Sequence, residues 1–302
     1  MAAEGPRGDG GRGDALAPSG HSRLSDELRP PQDDFDEVRA AAVCGSIARD
    51  LLGDFAPAVL LLAPLDRERL QALLAYTRTL FDFARQRGVD GERLAQINRW
   101  ELTLETALSG VPVGQPVFVR MAREERRRAW PTAALDEIAA CARRRAIRPR
   151  PATPAEADGE ARRLARAVAT ALLGQDPPPE VSDFLGALVR LCTLQRTGAE
   201  VAGNRWPLPV SELPETDTPE PEKLLAAVRR ECARLRSRLL NAPRGLVELP
   251  AGHRRAAVFC LLASLRLLSG LEDGGPEVLE RPPQIGLVAR VALLVRARWL
   301  GV

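Results

Sequence analysis

From Asp34 onward, apolar residues return every third or fourth position, and no stretch alternates apolar with polar at every second residue. That periodicity puts the apolar side chains on one stripe of a helix and offers no face on which a sheet could be built. Leu70, Leu73, Leu74 and Leu80 form one such stripe, and Leu94, Ile97, Trp100, Leu104 and Leu108 form another, which Gly110 ends. Composition agrees: aromatic residues are only 4% of the chain and Tyr76 is the single tyrosine, whereas strands favour aromatic and β-branched residues. The expectation is an all-α fold, a single bundle of about nine or ten helices. The predicted helices cover 34–52, 66–87, 91–108, 115–128, 132–146, 155–173, 179–203, 221–240, 250–271 and 285–299. Residues 1–32, rich in Gly, Pro, Asp and Arg, read as a disordered tail, so the helical domain is expected over 33–302.

Several kinds of chemistry are excluded by count. The chain has two histidines, His21 and His253, too few for a His-rich metal site. Its five cysteines form no CxxC pair and lie in apolar helical stretches, as small buried thiols of a reducing cytosol do. A net charge of +3 is mild, and no nucleic-acid partner is expected. The longest apolar runs, 55–65 and 256–265, fall short of the roughly 20 residues a spanning helix needs. No secretory signal pattern is visible, and the expected location is cytoplasmic. The last helix carries Arg290, Arg296, Arg298 and Trp299, which suit peripheral contact with an anionic membrane surface. The run 124–128, EERRR, reads as a solvated face, and His253 as an exposed residue at a helix start.

Some stretches are more specific when taken in order. They are CGSIARDLLGDFAPAVLLLAPLDRERLQALLAYTRTLFDFARQ (44–86), GERLAQINRWELTLETALSG (91–110), QPVFVRMA (115–122), EARRLARAVATALLG (160–174), LCTLQRTGAEVAGNRWPLPVSEL (191–213) and RPPQIGLVARVALLVRARW (281–299). In order and spacing this series resembles the squalene/phytoene synthases, the head-to-head prenyl transferases, over about residues 36–300. The resemblance implies an isoprenoid synthase-type bundle, a role in squalene, hopanoid or carotenoid biosynthesis, and prenyl diphosphate as ligand. In that family two aspartate-rich motifs on facing helices hold Mg2+ ions against the diphosphate. Carboxylates three or four residues apart share a helical face, and Mg2+ takes hard oxygen ligands.

Here those motifs are eroded. Asp82 is the only acid between Arg69 and Val89, and Glu200 the only acid between Phe184 and Ser211. Set against the family pattern, Arg78 falls on the motif arginine and Asp82 on the second aspartate, while Phe81 and Arg85 replace its first and last acids. In the second motif Arg196 replaces the leading acid and Glu200 takes the trailing position. Glu160 and Pro207 stand where the family has aromatic residues. Two unit charges 4 Å apart interact by about 4 kcal/mol at an effective dielectric of about 20, and an arginine opposes a divalent ion by about twice that. Exchanging carboxylate for guanidinium therefore removes attraction and adds repulsion.

The expected site is drawn from these residues, with no catalytic residue assigned. Arg78, Arg85, Arg196 and Arg205 are candidates for binding diphosphate, Asp82 and Glu200 are weak candidates for a metal, and Tyr76, Phe81 and Gln195 are candidates for lining a cavity. Three readings stay open. One is an inactive or strongly altered pseudoenzyme that keeps an isoprenoid ligand or a partner synthase. Another is an active, divergent prenyl transferase, the only reading that needs Mg2+. The last is a non-catalytic assembly module whose cavity is filled by its own side chains.

Overall fold

The computed structural model describes residues 33–86, 88–203, 207–213 and 220–301. The predicted tail 1–32 and Arg205 lie outside the described residues. Within them the chain forms thirteen α-helices and one 3-10 helix, with no strand. In order these are α1 (Asp33–Leu52), the 3-10 helix (Gly53–Leu61), α2 (Pro64–Ala84), α3 (Asp90–Leu108), α4 (Pro116–Arg127), α5 (Thr132–Ile147) and α6 (Pro154–Leu173). There follow α7 (Pro179–Gln195), α8 (Thr197–Ala202), α9 (Pro221–Asn241), α10 (Pro243–Leu246), α11 (Ala251–Asp273), α12 (Glu277–Glu280) and α13 (Leu287–Leu300).

Local signals set most of these ends. Helices α2, α4, α6, α7 and α9 start on proline, whose missing N–H is one that a first turn leaves unpaired anyway. Thr153 caps α6 by accepting from the Glu156 N–H at 3.2 Å, and Glu156 reaches back to the Ala152 N–H at 2.7 Å. Gly174, at φ +80°, closes α6 in the left-handed conformation.

The single helix expected over 179–203 is instead two. The chain breaks at Arg196 and resumes as the short α8. Gly198 in α8 runs so close to α12 that a Cβ there would lie 1.7 Å from the Leu279 carbonyl oxygen. That approach, which only glycine permits, re-aims the segment that carries Glu200. The apolar run after Leu52 is likewise not plain helix: it forms the 3-10 helix, which contains Pro57 and buries Phe55, Ala58 and Val59.

Two apolar cores result. The first is built by α1 to α6 around Leu73, Tyr76, Leu80, Ile97, Phe118 and Ile138. Trp100 packs there on Phe118 with the rings tilted at 46° and their centroids 4.2 Å apart, and meets Phe83 edge-on at 5.5 Å. The second is built by the 3-10 helix and α7 to α13 around Phe184, Leu191, Leu235, Phe259 and Leu267. Arg69 is buried in the first half, and among the described residues it has no carboxylate partner. It donates to the carbonyls of Arg128 (2.6 Å), Ala129 (3.1 Å) and Ala171 (3.2 Å) and lies over the Trp130 ring. Burial lowers its guanidinium pKa to about 10.

The segment 124–128 is the solvated face its charges suggested at Arg126, Arg127 and Arg128, which are exposed, but not at Glu124. Glu124 is buried and accepts from Arg127 at 3.0 Å, with buried Arg120 at 3.5 Å. A buried carboxylate needs such partners, and Arg120 is itself shared with Glu68 of α2 at 2.8 Å. The five cysteines are all unpaired.

Candidate functional site

Between the two cores lies a cavity of about 410 Å3, walled mainly by α2, α6, α7 and α11. Its polarity follows from how side chains succeed one another along these helices. On α2 the lining runs from Leu70 and Leu74 through Thr77 to Arg78, Phe81 and Arg85. On α7 it runs from Val181, Phe184 and Leu188 to Thr193 and Arg196. On the antiparallel α6 it starts at Glu160 and ends in Leu172 and Leu173. One end is therefore apolar, and the other gathers Arg78, Arg85, Arg144, Arg145, Arg190 and Arg196.

These arginines are not equivalent. Arg78 holds Asp82 one helical turn away at 2.8 Å. Arg85 reaches Glu200 on α8 at 3.8 Å, so the segments that carry Asp82 and Glu200 do meet. Arg190 is buried and bonds buried Glu231 at 2.6 and 3.0 Å. Arg144 bonds Glu137 on its own helix at 2.6 Å. Arg145 and Arg196 make no side-chain hydrogen bond or ion pair among the described residues. Burial, and then the charges of Arg85 and Arg190, lower the pKa of Arg145 to about 10. Arg85 is lowered too, by burial first and then by Arg78 and Arg196, against the pull of Glu200. Both remain cations at neutral pH, but crowded ones.

Of the remaining expected site residues, Phe81 lines the cavity. Tyr76 does not: it is fully buried in the first core, where burial pushes its phenol pKa up. Gln195 is turned away from the cavity, with its Nε2 3.5 Å from the Pro283 carbonyl. His253 is not exposed. It is half-buried on the apolar part of the wall, 3.8 Å from Asp66, and burial lowers its pKa. Arg290 turns inward rather than to the surface, donating to Asp54 at 2.6 Å.

Arg144, Arg145 and Arg190 join the site without having been singled out from the sequence, and Glu160, noted there only for replacing an aromatic residue, lines it too. The run Arg143–Arg145 at the end of a helix reads as favourable to the helix dipole and no more. Its only further signal is spacing, since Cys141, Arg144 and Arg145 share one face and all three line the cavity.

A Mg2+ cluster is poorly matched by this donor set. Asp82 and Glu200 supply one carboxylate each, and each already lies against a guanidinium. Among the described residues, no group of three or more His, Cys, Asp or Glu could hold a metal ion. Mg2+ dehydrates only for oxygen ligands in near-octahedral array, and arginines at this density oppose it.

No family model and no curated protein matches the sequence. Solved structures do match the fold. A dehydrosqualene synthase in complex with ligand superposes with a TM-score of 0.66 at 15% identity, over 88% of this chain and 98% of that one. The squalene synthase HpnC from Alicyclobacillus acidocaldarius gives 0.61 at 18% identity, over 79% and 95%. TcSQS in complex with the ligand BPH1237 gives 0.65 at 14% identity, over 86% and 86%. With its helix order, its central cavity and these superpositions taken together, the chain has the all-α squalene/phytoene synthase-like fold.

Proposed function

We propose that this protein binds an isoprenoid with an anionic head, tail in the apolar part of the cavity and head against the arginines, without condensing two such molecules. The observation that carries the reading is the cavity itself, apolar along most of its length and arginine-rich at one end. Arginine recognises phosphate oxygens through paired hydrogen bonds and needs no metal to do so. Magnesium-assisted ionisation of a diphosphate requires a carboxylate set that these residues do not supply. The open cavity also favours this reading over an assembly module filled by its own side chains.

Calorimetry with farnesyl diphosphate, with Mg2+ and with EDTA, tests it. Binding of comparable strength in both buffers, with no hydrocarbon product, is the expected result. Turnover of farnesyl diphosphate that depends on Mg2+ would overturn it.

Contact with an anionic membrane surface belongs to the same proposal. Helix α13 packs Leu293, Leu294 and Ala297 inward, yet its outer face is also apolar, with Val288 84% and Trp299 77% exposed. Arg296 and Arg298 flank that face, and α13 has no acid. A basic, Trp-bearing apolar face suits the headgroup region of a bilayer. No helix of the described residues is long and apolar enough to cross one. Val288→Asp with Val295→Asp is expected to abolish co-sedimentation with phosphatidylserine vesicles, and unchanged sedimentation of that variant would refute the contact.

A further inference from the structure

We infer that the membrane contact of α13 continues onto one end of the molecule, where Leu60, Leu65, Val247, Trp299 and Leu300 form an apolar collar that seats in an anionic bilayer. This inference rests on the membrane-contact reading and names the further surface and the orientation that serve it.

The collar is assembled around the N-terminus of α11. Gly252 there lies against the backbone of Leu61 and Leu62, which brings in the end of the 3-10 helix. Arg67, in the first turn of α2, donates to the carbonyls of Val59 at 3.2 Å and of Leu60 and Leu62 at 3.4 Å, so α2 starts at the same place. His253 of α11 and Asp66 of α2 lie 3.8 Å apart. Arg254 donates to the Gly301 carbonyl at 3.0 Å and to the Val247 carbonyl at 3.3 Å, and the Gly301 backbone lies against Arg255. The end of α13 and the connection from α10 to α11 therefore converge there as well. Each of these four stretches turns a large apolar side chain outward, and the five are between 58% and 77% exposed. Single exposed apolar residues are ordinary, but a cluster drawn from four stretches far apart in sequence marks an interaction surface.

Charge selects the occupant. Arg67, Arg254, Arg255 and Arg298 stand around the collar, and among the described residues none of the four pairs with a carboxylate. Of the acids nearby, Asp66 is approached by Arg128 at 3.7 Å as well as by His253, and Glu248 is exposed beside Val247. A second copy of the chain seated on the collar would set these arginines against their own kind, whereas anionic headgroups complement them. Trp299 beside Arg298 at the edge of an apolar patch suits the boundary between headgroups and acyl chains.

Orientation follows from the helices that leave this end. Leu249, His253, Ala256 and Ala257, at and just before the first turns of α11, also line the apolar part of the cavity. Helix α2 runs from Leu65 at the collar to Arg85 at the arginine-rich end, about 30 Å at about 1.5 Å per residue. The seated protein thus holds the apolar end of its cavity toward the lipid and the arginine-rich end away from it.

Co-sedimentation of the full chain with vesicles of phosphatidylcholine and phosphatidylserine tests the inference, together with quenching of tryptophan fluorescence by brominated acyl chains. Leu65→Asp with Val247→Asp should lower the affinity for vesicles by about tenfold or more, the scale of one large apolar side chain kept out of the bilayer, with an unchanged melting temperature. Leu60→Asp repeats the test should that variant melt lower. Trp299 should be quenched, and a Trp299→Phe control subtracts the other three tryptophans. A folded variant that sediments like the parent, an unquenched Trp299, or a dimer in solution that the collar variant abolishes would each overturn the collar, while contact through Val288 and Val295 would still stand on its own variant. Failure of the parent to sediment at all would overturn the broader membrane contact and this inference with it.

Discussion

Arg145 illustrates how one side chain can oppose the fold that carries it. Its guanidinium pKa lies at about 10 instead of the ordinary 12.5, first because it is buried and then because Arg85 and Arg190 crowd it. Between those two values the unfolded chain binds more protons than the folded one, so stability rises with pH across that window. Below about pH 10 the charge is a standing cost. Arg145→Met should therefore raise the melting temperature of the ligand-free protein at pH 7 by a few degrees, and the gain should fade as pH rises through about 10. Scanning calorimetry across that range checks it, and a melting temperature that falls at pH 7 would contradict it. Arg190 has the opposite circumstances: Glu231 satisfies it in the interior at 2.6 Å, and Arg234 pairs with the other oxygen of the same carboxylate.

Among the elements, α8 matters most, because it sets where Glu200 stands. Its six residues are too few to be stable as an isolated helix and depend on docking against α12. Gly198 permits that docking by having no side chain where the Leu279 carbonyl sits. Gly198→Ala would push the two short helices apart, at a cost of about 1–3 kcal/mol for an overpacked contact. Chemical denaturation measures that loss, and the variant should also release Arg85 from Glu200. Helix α13 is the other instructive element. Its inward residues pack on α11 as its periodicity predicts, while its outer face stays apolar, which no bundle contact explains.

For the molecule as a whole, the cavity lies where the two cores fail to meet. Small residues on α6 create the room: Ala157, Ala161, Ala165 and Ala169 all line it. Spaced four residues apart, they keep one face of α6 thin along its length. Ala169→Leu puts three more carbons into that space. It is expected to leave the melting temperature unchanged or raised, because filling a void restores contacts, and to weaken farnesyl diphosphate by tenfold or more. A variant that binds as well as the parent would show that the ligand lies elsewhere.

Periodicity alone determined that this chain is helical and nearly where each helix runs, since burying one stripe of a helix is a local requirement of spacing. The order of its quoted stretches pointed to the squalene/phytoene synthase-like bundle, and the acid count left Asp82 and Glu200 as the sole carboxylates of 70–88 and 185–210. Phe81, named from the sequence because it takes the place of the first acid of the resembled motif, lines the cavity. The placements of Tyr76, Gln195, His253 and Glu124 were not legible, because which neighbour covers a polar side chain is a property of packing between distant helices. The same holds for the break at Arg196 and for the pairing of Arg85 with Glu200. Which arginines are neutralised and which are left facing the cavity was decided only in three dimensions. Coulomb energy depends on distance and burial, and sequence separation fixes neither.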